Sequence, residues 1–124
     1  MSKPKKVLIV EDEESLAQMY QTKFENEGYE VLVANDGSEG IEKAKKEKPD
    51  IILLDIILPK KDGFMVLKEL KADKTTANIK IIMLTNLGQD EDVTKGKKLG
   101  ALDYLVKANL TPAQLVDKVA EYLK

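Results

Sequence analysis

Residues 51–59 constrain the fold of this chain more than any other stretch. They comprise four aliphatic residues, Asp55, three more aliphatic residues and Pro59. A short run rich in isoleucine is typical of a strand buried on both faces of a parallel sheet. Because an ionised carboxylate is costly to bury without a cation or donors, the strand should end at Asp55. Asp55 then lies at the carboxyl edge of the sheet, where ligands of open α/β folds bind, although it can also do no more than cap the turn.

Apolar segments alternate with segments of helical character along the chain, and no low-complexity tract interrupts them. Segments 7–10, 29–34, 51–54, 79–84 and 102–106 are predicted to be strands. This alternation predicts one α/β domain over residues 1–124, with a doubly wound parallel sheet of five strands and helices on both faces. In a chain of this length the expected strand order is 2-1-3-4-5, which makes the first and third strands neighbours at the switch point.

Capping residues mark several helix ends. Asp36 is the expected N-cap of the second helix, with Glu39 as its reciprocal partner three residues later. Thr111 and Gln114 form the same pattern before the last helix, and the proline between them fits the first helical position. Residues 90–99 make the weakest predicted helix, because they include threonine and glycine and few apolar side chains.

The composition excludes several kinds of chemistry. With 20 basic and 22 acidic residues the net charge is −2, so no long-range field favours nucleic acid or anionic lipid. The chain has no cysteine and no histidine, which excludes disulfides, thiolate sites and histidine-based chemistry of its own. The basic N-terminal residues precede an apolar run, 7–10, that is too short for a signal peptide or a membrane span. We therefore expect a cytoplasmic protein without membrane or direct nucleic-acid partners.

Polar residues stand at the ends of four predicted strands. They are Glu11 and Asp12 after the first strand, Asp55 after the third, Thr85 after the fourth and Lys107 after the fifth. The predicted strand order brings the three carboxylates together, and like charges at short range repel strongly where the effective dielectric is low. A cation among them would stabilise the site, and an all-oxygen site without histidine or cysteine suits Mg²⁺.

The same set of residues favours phosphoryl chemistry. Thr85 would supply a hydroxyl donor and Lys107 a mobile positive charge, both suited to the oxygens of a transferring phosphoryl group. Asp55 would be the nucleophile and form an acyl phosphate. Taken singly, an acidic pair, a threonine or a lysine at a strand end is usually a residue without a special role. Their combination at four strand ends of one sheet favours the functional interpretation.

Four stretches carry a resemblance to a known family: residues 7–13, 55–63, 84–85 and 103–107. Together they resemble the receiver domain of two-component response regulators, of the stand-alone chemotaxis type, over essentially the whole chain. The resemblance implies a flavodoxin-like fold and Mg²⁺-dependent phosphorylation of Asp55, with Mn²⁺ as the alternative metal. The phosphoryl donor would be a phosphohistidine on a sensor histidine kinase or a histidine phosphotransfer protein.

The family's motif positions imply the metal ligands. Asp12 and Asp55 would bind Mg²⁺ directly, together with the backbone carbonyl oxygen of Ile57. Glu11 would act through a water molecule. The chain would then catalyse its own phosphorylation and dephosphorylation, and no turnover of a free substrate is expected.

The resemblance also implies roles in phosphoryl binding and signalling. Thr85 and Lys107 would bind the phosphoryl oxygens, and the backbone N–H of Asn86 would add a donor. Tyr104 matches the family's switch aromatic, which turns inward as Thr85 moves toward the phosphoryl group; a packing role alone is the alternative. The fourth helix, the fifth strand and the last helix would form the face that binds a downstream protein.

Two features concern the details of the site. The family's lysine is usually followed by a proline in a cis peptide, whereas Ala108 follows Lys107 here. A cis bond before a residue other than proline costs about 2.5–4 kcal/mol, so a trans peptide is expected. Ile57 and Leu87, two residues beyond the aspartate and the threonine, would flank the path of an attacking water. Neither side chain can orient that water, which predicts slow self-dephosphorylation.

Three other functions fit the same fold. An FMN carrier needs a hydroxyl- and glycine-rich first loop to cradle phosphate, and the first loop here is acidic. An aspartate-based phosphatase needs a second acid beside the nucleophile, but two isoleucines follow Asp55. A pseudo-receiver would keep the fold without the chemistry, whereas all key residues are present. Because the chain lacks histidine and ends soon after the last helix, donor and output are both expected to be other proteins.

Overall fold

The computed structural model describes residues 3–124, so Met1 and Ser2 of the basic N-terminal stretch lie outside the described residues. The elements in chain order are β1 (Lys6–Val10), α1 (Glu14–Asn26), β2 (Glu30–Ala34), α2 (Gly37–Glu47), β3 (Ile51–Leu54), α3 (Gly63–Ala72), β4 (Lys80–Thr85), α4 (Asp90–Lys98), β5 (Asp103–Val106) and α5 (Pro112–Tyr122). A 3₁₀ turn, Lys107–Asn109, follows β5. Within residues 3–124 no helix has the length and apolar character that crossing a bilayer requires.

The five strands form one parallel sheet in the order β2-β1-β3-β4-β5, as predicted. Val10, the last residue of β1, pairs with the last residues of both neighbouring strands, Ala34 and Leu54. The carboxyl ends of these three strands are therefore level with one another. Because the chain order reverses between β1 and β3, the residues that follow these two strands meet at the switch point.

Alternate residues of the central strands contribute to two cores on opposite faces of the sheet. The core beneath α1 and α5 contains Val7, Ile9, Ile51, Leu53, Ile82, Leu84, Phe24 and Val119. The core beneath α2, α3 and α4 contains Leu8, Val10, Ile52, Leu54, Ile81, Met83, Leu67 and Tyr104. Burial on both faces explains why these strands are continuous apolar runs in the sequence instead of alternating patterns.

The predicted helix caps are present, with one correction. Gln114 N–H donates to the Thr111 hydroxyl at 3.1 Å, and Thr111 N–H donates to the Gln114 side chain at 2.9 Å. The Asp36 carboxylate accepts from Glu39 N–H at 2.8 Å, but the Glu39 carboxylate accepts from Asn35 N–H and not from the N-cap residue. The predicted reciprocal partner of Glu39 was wrong because Asn35 lies just past the end of an edge strand, where its N–H needs an acceptor.

Helix α4 forms although its composition makes it the weakest predicted helix. Its first turn contains Asp90, Glu91 and Asp92, and its last turn contains Lys95, Lys97 and Lys98. Acidic residues near a helix N-terminus and basic residues near its C-terminus each contribute about 0.3–1 kcal/mol through the helix dipole. The distribution of charge therefore compensates for the small number of apolar side chains in α4.

Truncation of Phe24 tests the core beneath α1 and α5. Phe24 is completely buried and its ring lies edge-on to Tyr29, with 5.5 Å between the centroids. The Phe24→Ala variant should lose about 3–5 kcal/mol of unfolding free energy in urea titrations, because burial is lost and a cavity remains. Met19, on the same helix, is 43% exposed, and Met19→Ala should cost about 1 kcal/mol or less. Equal losses in the two variants would contradict the orientation of α1.

Candidate functional site

The carboxyl ends of β1, β3, β4 and β5 open onto a single cleft. Its lining residues are Glu11, Asp12, Glu13, Asp55, Ile57, Thr85, Asn86, Leu87 and Lys107. The cleft thus brings together every residue that the sequence predicted for metal or phosphoryl binding. Tyr104, the remaining predicted residue, lies behind the cleft and contacts it through Leu87.

Three carboxylates form an acidic cluster in this cleft. Glu11, Asp12 and Asp55 each offer one oxygen, and these oxygens lie within 4.8 Å of one another. Glu11 and Asp55 are only 3% and 7% exposed, whereas Asp12 is exposed to solvent. An oxygen-only donor set of this size can hold a small, hard cation.

The Lys107 ammonium joins the two buried carboxylates. It donates to Asp55 Oδ2 at 2.6 Å and also hydrogen-bonds a carboxylate oxygen of Glu11. Burial by itself lowers the pKa of Lys107, but the hydrogen bonds and charges of Asp55 and Glu11 outweigh burial and raise that pKa overall. Lys107 therefore stays charged in the folded protein and offsets two carboxylates that would otherwise repel each other.

Main-chain contacts fix the orientation of the Asp55 carboxylate. Its Oδ1 accepts from the backbone N–H of Ile56 at 2.7 Å, which leaves Oδ2 to Lys107. Helix α3 begins directly against this residue: a Cβ built on Gly63 would lie 2.2 Å from the Asp55 carbonyl oxygen. Only glycine permits so close an approach, and Gly63 N–H donates to the Ile56 carbonyl at 2.9 Å.

Thr85 is buried at the end of β4 and pairs with Val106, which places Lys107 beside it across the sheet. Its hydroxyl oxygen accepts a hydrogen bond from Leu87 N–H at 3.3 Å. A hydroxyl has one hydrogen to donate in addition to its acceptor sites. The Thr85 hydroxyl can therefore donate to an anion in the cleft while it accepts from its own loop.

Sequence reasoning missed the contact that the Asn86 side chain makes. The sequence predicted a role only for the backbone N–H of Asn86. In the structure the side-chain oxygen of Asn86 also accepts a hydrogen bond from Ala108 N–H at 3.0 Å. The peptide between Lys107 and Ala108 is trans, as predicted, since residues 3–124 contain no cis bond. Two features of the sequence could have pointed to this pair: alanine in place of the family's usual proline at position 108, and asparagine at position 86.

Tyr104 is oriented inward, beneath α4. Its side chain is 8% exposed and its hydroxyl donates to the carbonyl oxygen of Leu87. A Cβ added to Gly96 would lie 3.2 Å from the Tyr104 ring, so the glycine lets α4 approach the ring closely. Burial, followed by the negative charges of Asp92 and Asp55, raises the pKa of Tyr104 to about 12.

Ile57, which also lines the cleft, lies at its mouth with 62% of its surface exposed to solvent.

Comparison with known proteins agrees with this fold. The response regulator receiver domain model matches residues 7–120, and the chain belongs to this family. Its fold is flavodoxin-like, as the resemblance implied. The chain is 42% identical over 120 residues to the alkaline phosphatase synthesis transcriptional regulatory protein PhoP of Bacillus subtilis, covering 97% of this chain and 49% of that protein.

Two further proteins show the range of similar chains. Protein PilH of Pseudomonas aeruginosa is 39% identical over 104 residues, covering 82% of this chain and 84% of that protein. The crystal structure of a CheX-CheY-BeF₃-Mg²⁺ complex from Borrelia burgdorferi has a TM-score of 0.89 and 31% identity, covering 98% of this chain and 90% of that one. The chain spans about half the length of PhoP and of several other curated relatives that it matches.

The raised pKa of Tyr104 predicts an alkaline effect on stability. An unfolded tyrosine ionises near pH 10.0, whereas folded Tyr104 ionises near pH 12, so the neutral phenol favours the folded state. That contribution is complete below pH 10.0 and is lost as the pH rises toward 12. In urea unfolding at pH 7 to 11.5, the stability advantage of wild type over Tyr104→Phe should shrink across roughly this interval. An advantage that stays constant with pH would contradict this assignment.

Proposed function

We propose that this chain is the phosphoacceptor receiver of a two-component or phosphorelay system, and that residues 1–124 act as a single receiver domain. Asp55 accepts the phosphoryl group. The observation that carries the proposal is that Asp55 belongs to the acidic cluster while its Oδ2 accepts a hydrogen bond from the Lys107 ammonium at 2.6 Å. Membership of the receiver family and the likeness to a CheY bound with BeF₃ and Mg²⁺ support it.

The acidic cluster fits a magnesium ion. Asp12, Asp55 and the backbone carbonyl of Ile57 would hold Mg²⁺ directly and Glu11 would act through a water molecule, with Mn²⁺ as the alternative metal, because all of these donors are oxygens. A bound divalent ion would offset the negative charge that the carboxylates and the phosphoryl oxygens bring together. The nearness of the three carboxylates to one another is the structural support for this site.

Phosphoryl transfer would use the remaining cleft residues in distinct roles. An oxygen of the Asp55 carboxylate forms the new P–O bond as the P–N bond of a partner's phosphohistidine breaks, and the imidazole nitrogen keeps the electron pair. Lys107 exchanges its hydrogen bond with Asp55 Oδ2 for one with a phosphoryl oxygen, and the Thr85 hydroxyl donates to another. The donor belongs to a sensor histidine kinase or a phosphotransfer protein, since this chain has no histidine.

Movement of Thr85 would reach the surface through the loop that follows it. Leu87 contacts both Thr85, through its N–H, and the Tyr104 hydroxyl, through its carbonyl. A shift of Thr85 toward the phosphoryl group therefore alters the contacts that hold Tyr104 beneath α4. The α4-β5-α5 face is the proposed binding surface for a downstream protein.

Replacement of Asp55 tests the phosphoacceptor directly. Wild-type protein incubated with acetyl phosphate and Mg²⁺ should gain the mass of one phosphoryl group, mapped to Asp55, because Asp55 is the proposed nucleophile, with Oδ1 held by Ile56 N–H and Oδ2 beside Lys107. Asp55→Asn should gain none in the same intact-mass measurement. Asp62→Asn, the same change at a helix cap outside the cleft, should label like wild type. Normal labelling of Asp55→Asn would refute the proposal.

The apolar mouth of the cleft predicts a long-lived phosphorylated form. Ile57 is 62% exposed and cannot hydrogen-bond the attacking water, so Ile57→Asn should shorten the lifetime of the label by roughly tenfold, less than a fully placed general base contributes. The decay is followed by intact mass after removal of acetyl phosphate. Met65→Asn, at a residue that is 49% exposed and does not line the cleft, should decay like wild type. Rapid loss in wild type, unchanged by Ile57→Asn, would contradict the prediction.

A further inference from the structure

The groups that would contact the phosphoryl group lie at or just beyond the ends of β4 and β5, and the Asn86 side chain links the segments that follow these two strands. The ladder between β4 and β5 ends at the pair of Thr85 and Val106. Asn86 follows Thr85, and Lys107 opens the 3₁₀ turn that follows Val106. Beyond the end of the ladder, the Asn86 side-chain oxygen accepts from the backbone N–H of Ala108 at 3.0 Å. The amide of Asn86 thus extends the connection between the two strands into the loops of the cleft.

The turn itself provides the reason for this link. The first N–H groups of a helical turn have no acceptor within that turn. In the turn after β5, Leu110 N–H donates to the Lys107 carbonyl at 3.2 Å, while Ala108 N–H donates outward to Asn86. A proline in place of Ala108 would have no N–H and could not make this bond. The contact therefore requires both the asparagine side chain and a residue other than proline after Lys107.

We propose that Asn86 is a positioning residue for phosphoryl transfer, whose side chain holds the turn carrying Lys107 and ties it to the loop that follows Thr85. The proposal rests on the proposed function of Asp55. From this turn the Lys107 ammonium reaches both Glu11 and Asp55. Without the link, Lys107 samples more positions, and fewer molecules present the ammonium and the Thr85 hydroxyl to the same phosphoryl group at once.

The first measurement asks whether the side chain holds the turn. Asn86→Leu keeps a similar size but removes the acceptor, and Asn86→Asp keeps an acceptor oxygen. The Ala108 amide should exchange with solvent roughly three- to tenfold faster in Asn86→Leu, as expected for one lost hydrogen bond, and near the wild-type rate in Asn86→Asp. Asn109→Leu, at an exposed position in the same turn, should also leave the rate unchanged. The backbone N–H of residue 86 is present in all variants.

The second measurement asks whether the held turn matters for the phosphoryl site. The affinity for beryllofluoride in the presence of Mg²⁺, followed by NMR titration, should fall roughly three- to tenfold in Asn86→Leu and stay unchanged in Asn109→Leu. In an Ala108→Pro background, which lacks the donor, Asn86→Leu should cause no further loss. This double-mutant cycle separates the hydrogen bond from any general effect of leucine at position 86.

Each outcome supports or overturns the positioning role. Unchanged Ala108 exchange in Asn86→Leu would overturn it, and so would an Asn86→Leu loss of affinity that is equal in the wild-type and Ala108→Pro backgrounds. If Ala108→Pro fails to fold, equal affinity of Asn86→Leu and Asn109→Leu is the overturning result. A wild-type protein that does not bind beryllofluoride would refute the proposed function itself. Normal wild-type binding with no effect of Asn86→Leu refutes only the role of Asn86.

Discussion

The ionic contact of Lys107 with Glu11 and Asp55 is the interaction on which the rest of the cleft depends. Two carboxylates that are 3% and 7% exposed would repel each other without a cation between them. Removing one partner of a buried ion pair typically costs about 3–5 kcal/mol, because the remaining charge is left uncompensated. Lys107 supplies that cation from a position 96 residues from Glu11 and 52 residues from Asp55. The fold of nearly the whole chain is therefore needed to assemble this charge balance.

The same contact is compatible with the phosphoryl transfer proposed for this site. On phosphorylation, the Lys107 ammonium would leave Asp55 Oδ2 for a phosphoryl oxygen, so it exchanges one charged hydrogen bond for another. The neighbouring groups are constrained differently: Asp55 Oδ1 is held by Ile56 N–H, and Gly63 packs α3 against the Asp55 carbonyl. The proposed nucleophile is thus fixed by the main chain, while the lysine that would follow the charge has a long and flexible side chain.

The sequence was sufficient to predict the fold and most of the cleft, because both follow from short-range patterns. Glu11, Asp55, Thr85 and Lys107 each end or follow an apolar strand, and parallel strands gather their ends at one edge of the sheet. The link between Asn86 and Ala108 was not predictable in this way, since it joins two loops 22 residues apart through a side-chain rotamer. The contact of Glu39 with Asn35 was missed because the N–H of Asn35, just past the end of β2, takes the carboxylate that the capping pattern assigns to the N-cap residue.

Helix α4 has few apolar side chains, and the structure shows which contacts stabilise it instead. This helix relies on charges at its ends, on the close approach of Gly96 to Tyr104 and on Lys95, whose ammonium lies 4.5 Å from the Phe64 ring centroid. Only Gly96 of the helix is buried, and elements with few buried apolar contacts open or shift at lower cost than core strands. Because Tyr104 lies beneath α4 and bonds to Leu87, the proposed shift of Thr85 would act on a helix with little buried apolar surface. The small buried surface of α4 therefore suits the movement that the proposed signalling face would need.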